Sequence, residues 1–296
     1  VRAGAPVLWG GNRGGGGTGK ARRGRWLAEL LIALGLRPGS AARGYGGRGA
    51  RAVRFVHPDA DPAAFGDEPV LLAADDRVPV AVGRDRVQVA RALVGRGCDV
   101  VVADDGLQHY RLRRCCEILV VDGERGHGNG RCLPAGPLRE PVRRAARADL
   151  AIATGGGQPG IEPLVLHPGA ALSLAAPEQV QPLAAFVGRP VTAVAGIGNP
   201  GRFFRMLESK GLRVDARPYP DHHRFTPAEI AGWGAGRVLM TEKDAVKCRR
   251  LRAAPDARWP ELWFVPVTAV PAPAFTAALD RLLAARGILP SERARR

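Results

Sequence analysis

Pro6-Val7-Leu8-Trp9 is followed by Gly14-Gly15-Gly16-Gly17-Thr18-Gly19-Lys20 and then by an amphipathic run from Arg25 to Leu34 that Gly35 ends. A short apolar strand, a glycine loop closing on lysine, and a helix stand here in the order that cradles a phosphate chain. Glycines let backbone N–H groups approach the phosphates, and Lys20 reaches the β and γ oxygens. Gly14-x4-Gly19-Lys20 matches most of that pattern, but Ala21 stands where a hydroxyl would reach Mg²⁺. A glycine run in a chain with 39 glycines is also what a linker looks like. The helix that starts where the loop ends favours phosphate.

Outward from the loop, short apolar runs alternate with amphipathic segments, the pattern of a parallel sheet covered by helices. Strands are expected at 78–82, 99–103, 117–122 and 149–153, with a helix near 85–96. The run Val100-Val101-Val102-Ala103 ends in Asp104-Asp105, carboxylates placed to hold Mg²⁺ opposite a phosphate loop or simply to form a polar turn. Between Gly155 and Pro190 periodicity fades, as in a connecting ribbon. A second alternation follows, with strands at 192–195, 214–218, 238–241 and 262–266 and helices after Pro200, after Thr226 and from Pro273 to Arg286. The fold class is therefore α/β: a P-loop NTPase-like parallel-sheet domain over 1–184 and a second, smaller α/β domain over 185–296.

No stretch approaches the roughly 20 apolar residues of a membrane span. The formal charge of +16 admits nucleic acid as a partner, but only four of the 44 basic residues are lysine and aromatics make up only 5% of the chain. Spread-out arginine without interleaved rings is a poor stacking platform, so no nucleic-acid partner is expected and an anionic lipid surface or substrate suits the charge better. Lysine is scarce, yet Lys20, Lys243 and Lys247 fall inside motif-like segments, where a compact point charge is not replaced by arginine. Five cysteines without paired spacing indicate neither a disulfide framework nor a zinc site. Cys115-Cys116 suits a strand entry better than a redox switch.

The chain resembles the tetraacyldisaccharide 4'-kinase (lipid A 4'-kinase) family. In the first half the resemblance lies in Gly11-Asn12 with Gly17-Thr18-Gly19-Lys20, Arg43-Gly44-Tyr45-Gly46-Gly47, Gly66-Asp67-Glu68-Pro69, Asp104-Asp105-Gly106-Leu107-Gln108-His109 and Leu133-Pro134-Ala135-Gly136-Pro137-Leu138-Arg139-Glu140. The second half carries Ala195-Gly196-Ile197-Gly198-Asn199-Pro200, Asp221-His222 and Thr241-Glu242-Lys243-Asp244-Ala245-Val246-Lys247. These segments fall in the family's order over nearly the whole chain.

The resemblance implies transfer of the ATP γ-phosphoryl group to the 4'-hydroxyl of a tetraacylated disaccharide 1-phosphate, the lipid A precursor, by a peripheral enzyme on the cytoplasmic face of the bacterial inner membrane. It implies Asp67 and His222 as a catalytic dyad and ATP binding by Gly14, Gly15, Gly16, Gly17, Thr18, Gly19, Lys20 and Ala21. It further implies Glu68, Asp104 and Asp105 toward Mg²⁺, and Arg43, Tyr45, Gln108, His109 and Arg139 along the substrates. By residue type alone, His222 beside His223 is an ordinary loop or capping residue, and Asp67-Glu68 an ordinary acidic helix start. Glu242-Lys243-Asp244 is either a salt-bridged helix start or a group facing nucleotide.

Members usually carry an apolar, basic segment ahead of the first core strand, whereas this sequence begins almost at that strand; the expected location is the membrane face, to which the basic charge could still draw it, or the cytoplasm if the short N-terminus is natural. Ala42 stands where serine is common and Arg22 where proline is usual. These two are milder changes; Ala21 and the missing segment define an alternative, a weakened or inactive relative that binds nucleotide or glycolipid without turnover. Oligomeric state is not encoded in any of these motifs.

Overall fold

The computed structural model describes residues 3–12, 20–44, 52–104, 111–156, 158–251 and 258–289, without the side chains of 9–12, 20–23 and 104. The chain divides into two compact units. One runs to Leu166 and resumes at Ala269, and the other spans His167–Thr268.

The first unit begins with β1 (Val7–Asn12), α1 (Lys20–Ala33), β2 (Pro38–Ala42), β3 (Arg54–Val56), α2 (Pro62–Phe65), α3 (Asp67–Ala73) and β4 (Val80–Val82). It continues with α4 (Arg86–Gly95), β5 (Val100–Asp104), β6 (Cys116–Asp122), β7 (Leu150–Thr154) and β8 (Glu162–Pro168), in which the chain passes to the second unit. That unit holds β9 (Ala171–Ser173), β10 (Val180–Gln181), β11 (Pro190–Ala195), α5 (Pro200–Glu208), β12 (Arg213–Pro218), α6 (Pro227–Ala231), β13 (Arg237–Thr241), α7 (Glu242–Cys248) and β14 (Glu261–Val265). The chain returns through β15 (Val267–Pro271) and ends in α8 (Pro273–Ala285).

The larger sheet has the order β15-β8-β7-β6-β1-β5-β2-β4-β3. Its pairs from β8 to β4 are parallel, and β3 adds an antiparallel edge. Its strands are apolar on both faces because helices cover both. Val100, Val102, Ile118 and Val120 pack with α1 and α8 on one face, whereas Val101, Ala103, Leu119 and Val121 pack with α4 on the other. The smaller sheet has the order β10-β9-β14-β13-β11-β12 and repeats the plan. Phe203, Phe204 and Leu207 of α5 cover one face, while Ile230 of α6 and Ala245 and Cys248 of α7 cover the other.

Sequence alone puts the division at 184/185 and gives the last helix to the second domain; the structure differs on both counts. The ribbon after Gly155 contains strands, and β9 joins the second unit by pairing with β14, Trp263 opposite Ser173. Helix α8 belongs to the first unit because Phe275 lies 5.7 Å from Trp26 of α1, with Leu279 and Leu283 buried in the same cluster. Arg286 then bonds the Cys115 carbonyl and the Asp149 carboxylate, fixing the end of α8 to the entries of β6 and β7.

Candidate functional site

Strand β1, after which the glycine run stands in sequence, lies between β5 and β6 in the middle of the larger sheet. Gly10 pairs in register with Asp104, and Ala103 with Ala41. The carboxyl ends of three neighbouring parallel strands, β1, β5 with the Asp104 backbone, and β2, thereby lie side by side at the edge where α/β sheets bind ligands. Residues Gly14, Gly15, Gly16, Gly17, Thr18 and Gly19, together with Tyr45, Asp105, Gln108 and His109, lie outside the described residues, and Lys20 and Ala21 are described only as the backbone opening α1.

Arg43 leaves the edge exposed beside Gly44, whose φ of 71° only glycine adopts readily. A side chain on Gly44 would come within 3.3 Å of the Phe65 carbonyl oxygen, so the Arg43-Gly44 turn lies directly against the junction of α2 and α3.

Asp67 and Glu68 occupy the first turn of α3, where the helix dipole favours negative charge. Several contacts fix that turn. Asp61 caps α2, and Arg54 donates to the Ala64 carbonyl at 2.7 Å while its guanidinium sits 4.2 Å from the centre of the Phe65 ring. Gly66 then turns the chain at φ 91° and ψ 152°, a region essentially reserved for glycine. Pro69 through Ala73 are buried and anchor the rest of the helix. Helix α1 is tied to the segment after α3 by Arg25 on Asp75 at 3.0 Å and by Arg77 on Glu29 at 2.8 Å. The helix that follows the glycine loop and the helix that carries Asp67 are thus set against each other.

Arg139 is exposed on a basic, apolar segment of the same unit. Leu138 is buried and bonds back to Arg131, which pins the base of the loop and leaves Leu133 outside at 63% exposure. Between 125 and 147 stand six arginines and a single acidic residue, Glu140, which is buried.

In the second unit, His222 and His223 separate into different roles. His223 is packed against Tyr219 and Phe225, with ring centres 4.7 and 5.0 Å away, and its Nε2 lies 2.9 Å from Glu229, so it is a structural residue. The His222 side chain is 40% exposed on a backbone with φ 63°. A non-glycine residue there costs on the order of 1 kcal/mol and persists only where its surroundings fix it. Asp221 Oδ1 accepts from the His222 N–H at 3.1 Å and from Lys243 Nζ at 2.8 Å, and Asp221 Oδ2 lies 3.8 Å from His222 Nε2.

Lys243 lies in the first turn of α7, which begins at Glu242 directly after β13. Asp244 is fully buried, accepting from Thr241 Oγ1 at 2.6 Å and the Gly196 N–H at 3.0 Å and pairing with Lys247 at 2.6 Å. Asp244 therefore ties the ends of β11 and β13 together, while Tyr219 bonds back to Ala195 to hold the start of the His222 turn. Lys243 and Lys247 have distinct partners, which the motif alone does not reveal. Sequence spacing does not mark Arg54 or Asp221 as site residues, because their contacts are with residues distant in sequence. Burial pushes the Cys115 thiol up and the Cys116 thiol to about 12, which leaves little thiolate for redox chemistry.

The family profile described as Tetraacyldisaccharide-1-P 4'-kinase matches residues 1–284. A tetraacyldisaccharide 4'-kinase of Alkalilimnicola ehrlichii is 50% identical over 94% of this chain and 82% of that protein. The protein of the same name from Pseudomonas aeruginosa is 44% identical over 95% of this chain and 84% of its own length. Among solved structures, the "apo" form of LpxK from Aquifex aeolicus in complex with ATP aligns with a TM-score of 0.74 and 25% identity, covering 95% of this chain and 90% of that one. With a profile match along nearly its full length and relatives of that name at up to 50% identity, the chain belongs to the tetraacyldisaccharide-1-P 4'-kinase family.

Proposed function

We propose that the protein transfers the γ-phosphoryl group of ATP to the 4'-hydroxyl of a tetraacylated glucosamine disaccharide 1-phosphate. The observation that carries this reading is family membership along nearly the whole chain, at up to 50% identity to proteins named for that activity. The same identities favour an active kinase over the inactive relative that Ala21 suggests.

Phosphoryl transfer asks a protein mainly for positioning and charge stabilisation. In this reading the glycine loop from Gly14 to Gly19, with Lys20, grips the ATP phosphates. Asp67 takes the proton of the attacking hydroxyl, and His222 orients or tunes that carboxylate. Glu68, Asp104 and Asp105 are hard oxygen donors, and Asp104 ends the strand paired with Gly10 just before the loop, so the donor set suits Mg²⁺. When bound, the ion neutralises charge on the β and γ phosphates. Arg43, Tyr45, Gln108, His109 and Arg139 are assigned to the substrates, arginine being suited to a bidentate grip on the sugar phosphate.

No helix among the described residues is long and apolar enough to cross a membrane. We assign the protein to the cytoplasmic face of the bacterial inner membrane as a peripheral enzyme. The arginine-rich segment 125–147, with Leu133 and Val142 exposed, supplies charge and apolar area for an anionic lipid surface.

The test is incubation of the purified protein with γ-labelled ATP, Mg²⁺ and the tetraacylated disaccharide 1-phosphate, followed by chromatography of the lipid. Label is expected in the lipid, and Asp67→Ala is expected to lower its rate by at least about a hundredfold, the scale of general-base catalysis. Nucleotide binding without labelled lipid would instead identify the non-catalytic relative.

A further inference from the structure

We infer that Lys243 is a positioning residue for His222, acting through Asp221. The inference rests on the reading of His222 as a member of the phosphoryl-transfer machinery. The Lys243 side chain is only 10% exposed, and its ammonium makes a 2.8 Å bond to Asp221 Oδ1. That same oxygen accepts the His222 backbone N–H, and the other carboxylate oxygen faces the imidazole at 3.8 Å. Asp221 thus touches both the backbone and the ring side of His222, and Lys243 is the partner that fixes its carboxylate.

The need for a clamp is visible in the backbone. His222 is one of two non-glycine residues with positive φ among the described residues, and such a conformation persists where neighbouring contacts over-determine it. Tyr219 and Pro220 are seated from the other side: Tyr219 bonds Ala195, and the Pro220 carbonyl lies 3.4 Å from a side chain that would begin on Gly196. Lys243 holds Asp221 from α7, itself anchored by the buried Asp244. A neutral side chain at 243 removes the bond that holds the Asp221 carboxylate against the His222 backbone N–H and beside its ring. Arginine keeps the charge and the donors but not the compact shape, so it substitutes only in part.

The experiment is a kinetic cycle of Lys243→Met, Lys243→Arg, His222→Ala and the double variant Lys243→Met with His222→Ala, with KM for ATP and thermal unfolding measured for each. Lys243→Met is expected to lower kcat by about tenfold to a hundredfold, the scale of a misplaced catalytic group, with KM for ATP within about twofold of the parent. Lys243→Arg, which keeps the charge on a bulkier head, should recover only part of that loss. In the His222→Ala background, Lys243→Met should cost little more, because its effect passes through the missing ring. An unchanged kcat in Lys243→Met, losses that multiply in full in the double variant, or a raised KM for ATP at unchanged kcat would each overturn the inference, the last pointing to direct nucleotide contact.

Should Lys243→Met melt below the assay temperature, Asp221→Asn removes the ion pair at nearly constant volume and carries the same expectations. If His222→Ala alone keeps full activity, the dyad reading falls and the inference with it. If His222→Ala is inactive while Lys243→Met is not, only the inference falls.

Discussion

At the scale of single residues, the site is decided by backbone conformations that few side chains tolerate. Gly66 is the clearest case, since φ 91° and ψ 152° set the angle at which α3 presents Asp67. Gly66→Ala is expected to cost about 1–3 kcal/mol and to lower kcat more than it raises KM, measured by denaturant unfolding and steady-state kinetics. Ala21 is the opposite case, a position whose chemistry is read from sequence alone. Ala21→Thr restores the hydroxyl usual after the loop lysine and is expected to raise kcat at limiting Mg²⁺, with the difference closing at saturation. Equal rates at every Mg²⁺ concentration would mean that the carboxylates and phosphates already suffice as ligands.

At the scale of elements, α6 shows how a short helix is stabilised around the His222 turn. Thr226 caps it, and Glu229 closes the box by accepting from the Thr226 backbone and hydroxyl, while also meeting His223. Burial opposes the Glu229 charge, but these hydrogen bonds and His223 outweigh it and hold the carboxyl below the usual range. A carboxyl depressed on folding adds stability above its unfolded value, near 4.5, and that stability fades as pH falls through the folded value. Thermal unfolding between pH 6 and pH 3 should therefore show a shallower acid decline in Glu229→Gln than in the parent. Thr226→Ala is expected to cost about 0.5–2 kcal/mol across the neutral range.

The elements also show how legible the fold was. Strands β5, β6, β7, β11, β13 and β14 are apolar runs that any pattern reading finds, and Pro200, Pro227 and Pro273 mark helix starts. Strand β2 escapes because Pro38-Gly39-Ser40-Ala41-Ala42 has little strand propensity; it is a strand because β4 and β5 pair with it on both sides and all five residues are buried. Strands β8 and β10 escape for the reverse reason, being largely exposed and without a clean alternation.

At the scale of the whole molecule, the net charge of +16 is distributed so that one exposed stretch carries arginine without exposed acidic residues beyond Glu124. Arg143 and Arg147 are exposed there beside Val142. Binding to vesicles of phosphatidylglycerol in phosphatidylcholine is expected to weaken by about tenfold or more in Arg143→Glu with Arg147→Glu, at roughly 1 kcal/mol for each basic residue near the surface. Added salt should weaken the parent more than the double variant. Binding to neutral vesicles that equals binding to anionic ones would refute this surface, and steeply salt-dependent binding to duplex DNA would restore nucleic acid as a partner.

The sequence by itself determined the α/β class and the family, because these rest on local periodicity and on short motifs whose spacing is written along the chain. Only the tertiary structure decided that α8 belongs with the first unit, that His223 is structural while His222 is the exposed one, and that Lys243 reaches His222 through Asp221. Each of these depends on which distant segments meet, and contact between residues far apart in the chain leaves no period or spacing to read.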